Sequence, residues 1–97
     1  MNLFKIFWRR YSAYLALVNM KSKYIIIDRD GLEYPIVFNP ILGHDSFISF
    51  NIKAVSAGFC QLGEDGKWVA WGKSVALKLN SRPEDEKILN TFLEIDL

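Results

Sequence analysis

The chain predicts an α+β domain. An antiparallel sheet of about four strands, built from two hairpins, carries a C-terminal helix, with an amphipathic helix at the N-terminus. Three observations predict this. An Asp30-Gly31 pair separates two β-branched runs, a Glu64-Asp65-Gly66 turn separates two alternating runs, and Ser81-Arg82-Pro83-Glu84 opens a helical pattern.

At 97 residues, one domain is expected, divided into an N-terminal helix or extension over residues 1–19 and a body over residues 20–97. In residues 1–19, Leu3, Phe4, Phe7, Trp8, Tyr11, Tyr14, Leu15 and Val18 recur at spacings of three and four, the period of one helix face. Lys5, Arg9 and Ser12 lie opposite. The stripe fits a core-packing helix, a helix on a membrane surface, or an extension beside the domain. Met20 opens Met20-Lys21-Ser22-Lys23-Tyr24, which would suit the start of a strand-first domain. A secretory signal fits poorly, because the apolar run is short and Asn19-Met20-Lys21 is no small-residue cleavage site. No stretch reaches the length of a membrane span.

In the body, Tyr24-Ile25-Ile26-Ile27 and Glu33-Tyr34-Pro35-Ile36-Val37-Phe38 form the first hairpin. Pro35 has no N–H, so its strand should lie at a sheet edge or begin after it. Asp28-Arg29-Asp30-Gly31 resembles a calcium loop but lacks its later ligands, and turn chemistry explains it. Asn39-Pro40 and Gly43 mark a loop, and Asp45 or Ser46 caps a helical turn running into Phe47 and Ile48.

In the second hairpin, a loop from Gly63 to Gly66 sets Leu62 opposite Lys67, Cys60 opposite Val69, Gly58 opposite Trp71, Ala54 opposite Val75 and Ile52 opposite Leu77. That places Trp71 on the inner face and Trp68 outside, with Val55, Ala57, Phe59, Ala70, Ser74 and Ala76. Both faces are apolar, so the outer one needs a cover from a helix or a second subunit. Lys73 falls awkwardly on the inner face. A bulge at Gly72 would flip the parity and exchange the two tryptophans. The helix that follows uses Ser81 and Glu84 as a capping box, with Pro83 in its first turn. Glu84, Asp85 and Glu86 complement the helix dipole, and Ile88, Leu89, Phe92, Leu93 and Ile95 form its docking face.

Charge and composition narrow the function classes. Lys5, Arg9, Arg10, Lys21 and Lys23 give residues 1–23 a charge of +5, and the remaining seven basic and eleven acidic residues give −4. A mildly acidic body argues against nucleic acid as the natural partner. The single cysteine, Cys60, excludes an internal disulfide, and with the single histidine, His44, it makes a zinc site improbable. No cofactor motif and no phosphate-binding glycine pattern is visible. A Cys60–His44 dyad is the one nucleophilic arrangement available, as in a Cys/His-dependent hydrolase. It competes with an inert core cysteine and a surface-loop histidine. Phe59 and Trp68 would suit base stacking in a nucleic-acid-binding accessory protein, but a basic groove is missing.

Val55-Ser56-Ala57-Gly58-Phe59, Trp71-Gly72-Lys73-Ser74-Val75 and Ser81-Arg82-Pro83-Glu84-Asp85 together resemble a group of small, uncharacterised bacteriophage and prophage proteins, over about residues 20–93. The resemblance implies a phage or prophage gene acting in the cytoplasm of a bacterial host, and implies no activity. The expectation is therefore a small non-enzymatic protein, without cofactor or metal, that binds another protein and is compatible with a homodimer. Tyr34, Phe59 and Trp68 are the candidate contact residues. Nucleic acid is not expected as a partner, and a membrane only through residues 1–19.

Overall fold

A two-residue turn sets the start of the sheet. In the computed structural model, which describes residues 20–48 and 52–93, β1 (Lys21–Arg29) and β2 (Leu32–Phe38) pair antiparallel with Arg29 opposite Leu32. Asp30 and Gly31 between them have φ of 55° and 83°. Positive φ at both positions is the type I′ turn that the strand twist favours. Asp28 Oδ1 accepts the Gly31 N–H at 3.1 Å and fixes the turn.

β1 is central. β3 (Lys53–Leu62) pairs with its other side and β4 (Trp68–Trp71) pairs with β3, giving the antiparallel order β2-β1-β3-β4. Ile26 lies opposite Ser56 and Ile27 opposite Ala54, so Val55 is a bulge. Pro35 sits on the edge strand, as expected. Backbone-bonded pairs alternate outward from the turn, which puts Pro35 at a position whose missing N–H would have faced outward.

The second hairpin departs from the expected register by one residue. Leu62 pairs with Trp68, Cys60 with Ala70 and Phe59 with Trp71. The loop runs over residues 63–67, closed by the Gly63 N–H on Lys67 O at 2.8 Å and the Gly66 N–H on Gly63 O at 3.0 Å. A one-residue slip exchanges the two faces of a strand. Trp68 is therefore inside, at 3% exposure, and Trp71 outside, at 40%. Nor does β4 continue along β3. It ends at Gly72, whose φ of 83° turns the chain into a small separate hairpin of β5 (Lys73–Ser74) and β6 (Leu79–Asn80). Neither Val75 nor Leu77 pairs with β3, and Lys73 is exposed.

The C-terminal helix, α1 (Pro83–Phe92), starts one residue later than the Ser81 capping box would place it. Arg82 is the N-cap, and Asp85 rather than Glu84 reaches back, its Oδ2 accepting the Arg82 N–H at 2.9 Å. Pro83 holds the first helical position, where a missing N–H costs nothing.

The sheet has an apolar layer on each face. Under α1 lie Tyr24, Ile26, Cys60, Leu62 and Trp68, onto which the helix packs Leu89 and Ile88, with Leu93 beside them. On the other face Ile25, Phe38 and Ala57 are buried, and Leu77, Leu79 and Ile48 pack against them. The β5–β6 hairpin of the same chain thus supplies part of the cover expected from a helix or second subunit. Gly58, opposite Tyr24, lets the chain pass close by on the α1 side. A Cβ at that position would lie 2.5 Å from Trp71 O and 3.3 Å from Ser81 Cβ. The helix expected in residues 1–19, and Ile95, lie outside the described residues.

Candidate interaction surface

The two faces of the sheet differ in what they bury and what they expose. On the α1 side, Asp85 is fully buried and is the hub of a polar network. Its carboxylate accepts the Tyr24 hydroxyl at 2.6 Å, the Ser56 hydroxyl at 2.9 Å and Arg82 Nε at 3.0 Å. Arg82 also forks onto Glu33 at 2.9 and 3.2 Å, tying the helix start to the first hairpin. Burial, then the bond to Asp85, pushes the Tyr24 phenol well above its ordinary value. The Glu33 bond, then the Asp85 bond, holds the Arg82 guanidinium above its own. Every buried side-chain polar atom among the described residues has a partner. A carboxylate so saturated and shut from solvent has no lone pair to offer a substrate, so the network is a lock between helix and sheet.

The same helix seals one edge of the sheet. Asn90 Oδ1 accepts the Trp68 N–H at 2.7 Å while Asn90 Nδ2 donates to Trp68 O at 3.1 Å, and Glu86 Oε1 accepts the Ala70 N–H at 2.9 Å. These are outward-facing groups of an edge strand, otherwise open to pairing with another chain. The acids at the helix start thus have separate roles. Glu84 is exposed, Asp85 is the buried hub, and Glu86 caps the strand edge.

The opposite face is open. An open groove of about 490 Å³ is lined by Lys23, His44, Phe59, Trp71, Lys73 and Val75, together with glycine and alanine backbone. Phe59 and Trp71, paired across β3 and β4, stack with ring centroids 6.4 Å apart and planes 28° apart. Lys21 Nζ stands 4.6 Å over the Phe59 ring. Val75, at the tip of the β5–β6 hairpin, is 79% exposed, and Val69 on the same sheet face is 47% exposed. Lys23 Nζ donates to Leu42 O at 2.9 Å, holding the 39–43 loop at the groove.

The three sequence-nominated contact residues have different fates. Phe59 is half-buried and forms the floor of the groove. Trp68 is buried, with its indole N–H on Leu93 O at 3.1 Å, and so presents no contact surface. Tyr34 packs edge-on against Phe92 at 5.3 Å, away from the groove lining. Trp71, Val75 and the lysines were missed as a group. The register slip had put Trp71 indoors, and only the turn at Gly72 brings Lys73 and Val75 beside it.

His44 is not the surface residue the sequence suggested. It is 5% exposed, its Nε2 is 2.8 Å from Gly58 O, and its ring packs edge-on to Phe38 and Phe59. Cys60 is buried on the α1 face, one residue from Phe59, so the sheet separates the thiol from the imidazole. Burial pushes the Cys60 thiol up to about 12, the reverse of what a nucleophile needs. Among the described residues, no three His, Cys, Asp or Glu side chains are grouped to hold a metal, and no helix is long and apolar enough to cross a membrane. Comparison with protein-family models, curated proteins and solved structures returns no match.

Proposed function

We propose that this chain is a small non-enzymatic interaction protein that binds another protein through the open face of its sheet. The observation that carries the proposal is the asymmetry between the faces. The α1 side carries a saturated polar lock and a sealed β4 edge, whereas the other side exposes Trp71, Val75 and Val69 beside a groove of about 490 Å³. An exposed apolar patch rimmed by polar residues marks an interaction site, and a tryptophan held by a rigid neighbour suits an energetic anchor. Action in the cytoplasm of a bacterial host, as expected for a small phage or prophage protein, is part of the same proposal, and a homodimer through the same face is a special case of it.

The test is site-specific crosslinking in bacterial cells. A photoreactive benzophenone side chain at Val75, in the groove wall, should give a discrete protein adduct that is lost on Trp71→Ala. The same group at Lys87, on the exposed side of α1, should give none. Adducts at position 87 but not at 75 would place the partner elsewhere and end the proposal.

A nucleic-acid reading gains one observation: the lysines do gather beside Phe59 and Trp71, where a basic groove was expected to be missing. The apolar exposure of Val75 and Val69 favours a protein partner over bases and phosphates.

A further inference from the structure

We infer that the partner docks as an acidic segment with an apolar anchor, its carboxylates meeting Lys21, Lys23 and Lys73 while an aliphatic or aromatic side chain enters between Trp71 and Val75. This rests on the protein-binding proposal above and adds the chemistry of the partner.

Charge complementarity carries the inference. Lys23 and Lys73 line the groove, and Lys21 Nζ stands over its Phe59 floor, so three lysines gather at one apolar opening. No carboxylate lines it among the described residues. Asp45 Oδ1 lies beside the lining residue Gly43. Yet the described residues carry nine basic and nine acidic side chains, so the local excess reflects placement and not composition. Two devices hold the charges. Lys21 is fixed by the Phe59 ring and Lys23 by Leu42 O, which reduces the side-chain entropy lost on pairing. The pocket between them is apolar, with Trp71 and Val75 as walls, so charge alone would not fill it. Paired rim charges set specificity and association rate, while the desolvated centre sets residence time.

The sealed β4 edge restricts the mode of binding. Its outward Trp68 N–H and C=O are already bonded to Asn90, and its Ala70 N–H to Glu86. A partner therefore cannot add a strand there, and recognition runs through side chains on the face.

The experiment is selection of displayed random dodecapeptides on the full chain. The expected result is enrichment of peptides with two or more carboxylates flanking a large apolar residue. The doubly reversed variant Lys21→Glu with Lys73→Glu should weaken the selected peptide by about tenfold or more at low salt and should itself select lysine-bearing peptides. Both residues are exposed, so the variant should fold, and near-UV circular dichroism checks that it does. Val75→Ser, at the most exposed wall position, should weaken the same peptide by removing apolar contact without touching charge.

Apolar peptides selected without acid preference, yet lost with Val75→Ser, would overturn the acidic partner and leave protein binding standing. Peptides indifferent to Val75, Trp71 and the lysines would overturn both. Tight, steeply salt-dependent binding of oligothymidylate in place of any peptide would assign the site to single-stranded nucleic acid and also overturn both.

Discussion

Replacing Asp85 with alanine should come close to unfolding the protein. The carboxylate is fully buried and receives the Tyr24 and Ser56 hydroxyls, the Arg82 N–H and the Arg82 guanidinium. Tyr24 and Ser56 are themselves fully buried, so each lost bond leaves a donor that water cannot reach, at about 1–3 kcal/mol apiece. The helix also loses the side chain that caps its first turn, about 1 kcal/mol. Arg82 adds little to this, since its side chain is 27% exposed and retains Glu33 and solvent. Against these losses stands relief of the carboxylate's own desolvation, which is several kcal/mol. Breaking a buried pair by removing one partner nets about 3–5 kcal/mol, and this is the expected cost. For a domain of this size that lowers Tm by roughly 12–40 °C. Asp85→Asn, which retains an oxygen for Tyr24 but turns an amide donor toward Ser56 or Arg82, should cost about half as much. Urea unfolding followed by far-UV circular dichroism measures both, and a cycle with Tyr24→Phe isolates the phenol bond, with an expected coupling of about 1–2 kcal/mol. A loss below about 1 kcal/mol for Asp85→Ala, with an unchanged unfolding slope, would refute the lock.

Other expectations follow from the same contacts. Trp68→Ala should cost about 3–5 kcal/mol and Trp71→Ala less than about 1 kcal/mol, a contrast that thermal melts would reverse if the register were the one read from sequence. Stability should fall as pH rises above about 9: Tyr24 and Cys60 are both pushed upward by burial, so the unfolded chain releases those protons first and folding stability declines through that window. The decline should flatten in the Tyr24→Phe, Cys60→Ala double variant, measured by urea titration at pH 8 and pH 10.5. Asn90→Ala should leave both backbone groups of Trp68 unpaired, costing about 1–3 kcal/mol and raising concentration-dependent light scattering as the β4 edge opens. Gly58→Ala should destabilise by about 1–3 kcal/mol, since the added methyl meets Trp71 O, which is backbone and cannot swing aside.

Local signals were legible and long-range ones were not. Asp30-Gly31 names its turn type, because only residues tolerant of positive φ serve there, and Pro35 names an edge strand by what it lacks. The helix at Pro83 announces itself through proline and the acids around it. The second hairpin shows the limit: whether its loop has four residues or five is not written in Glu64-Asp65-Gly66, and that one residue decides which tryptophan is inside. Gly72 was visible as an irregularity, but whether it bulges a strand or ends it depends on what lies across from it. Asp85 looked like one of three equivalent helix-start acids. Its partners Tyr24 and Ser56 lie 61 and 29 residues away, and no local pattern marks such a convergence. The groove was illegible for the same reason, since Lys21, Phe59, Trp71 and Val75 meet only once the register and the turn at Gly72 are known.

The central position of β1 has a consequence for how the protein is made. A ribosome delivers β1 and β2 first, and their hairpin can close once Phe38 has emerged. The other side of β1 must wait for β3, whose Ser56 pairs with Ile26 thirty residues behind it. At ordinary elongation rates the nascent chain therefore carries an unpaired Ile25-Ile26-Ile27 edge for a few seconds, and α1, which covers Ile26, is synthesised after all the described strands. Lys21, Lys23, Asp28 and Arg29 flank the isoleucines as charged gatekeepers during that interval. Two of them, Lys21 and Lys23, belong to the proposed binding groove, so the same side chains would guard the unfinished chain against self-association and, once it is complete, select its partner.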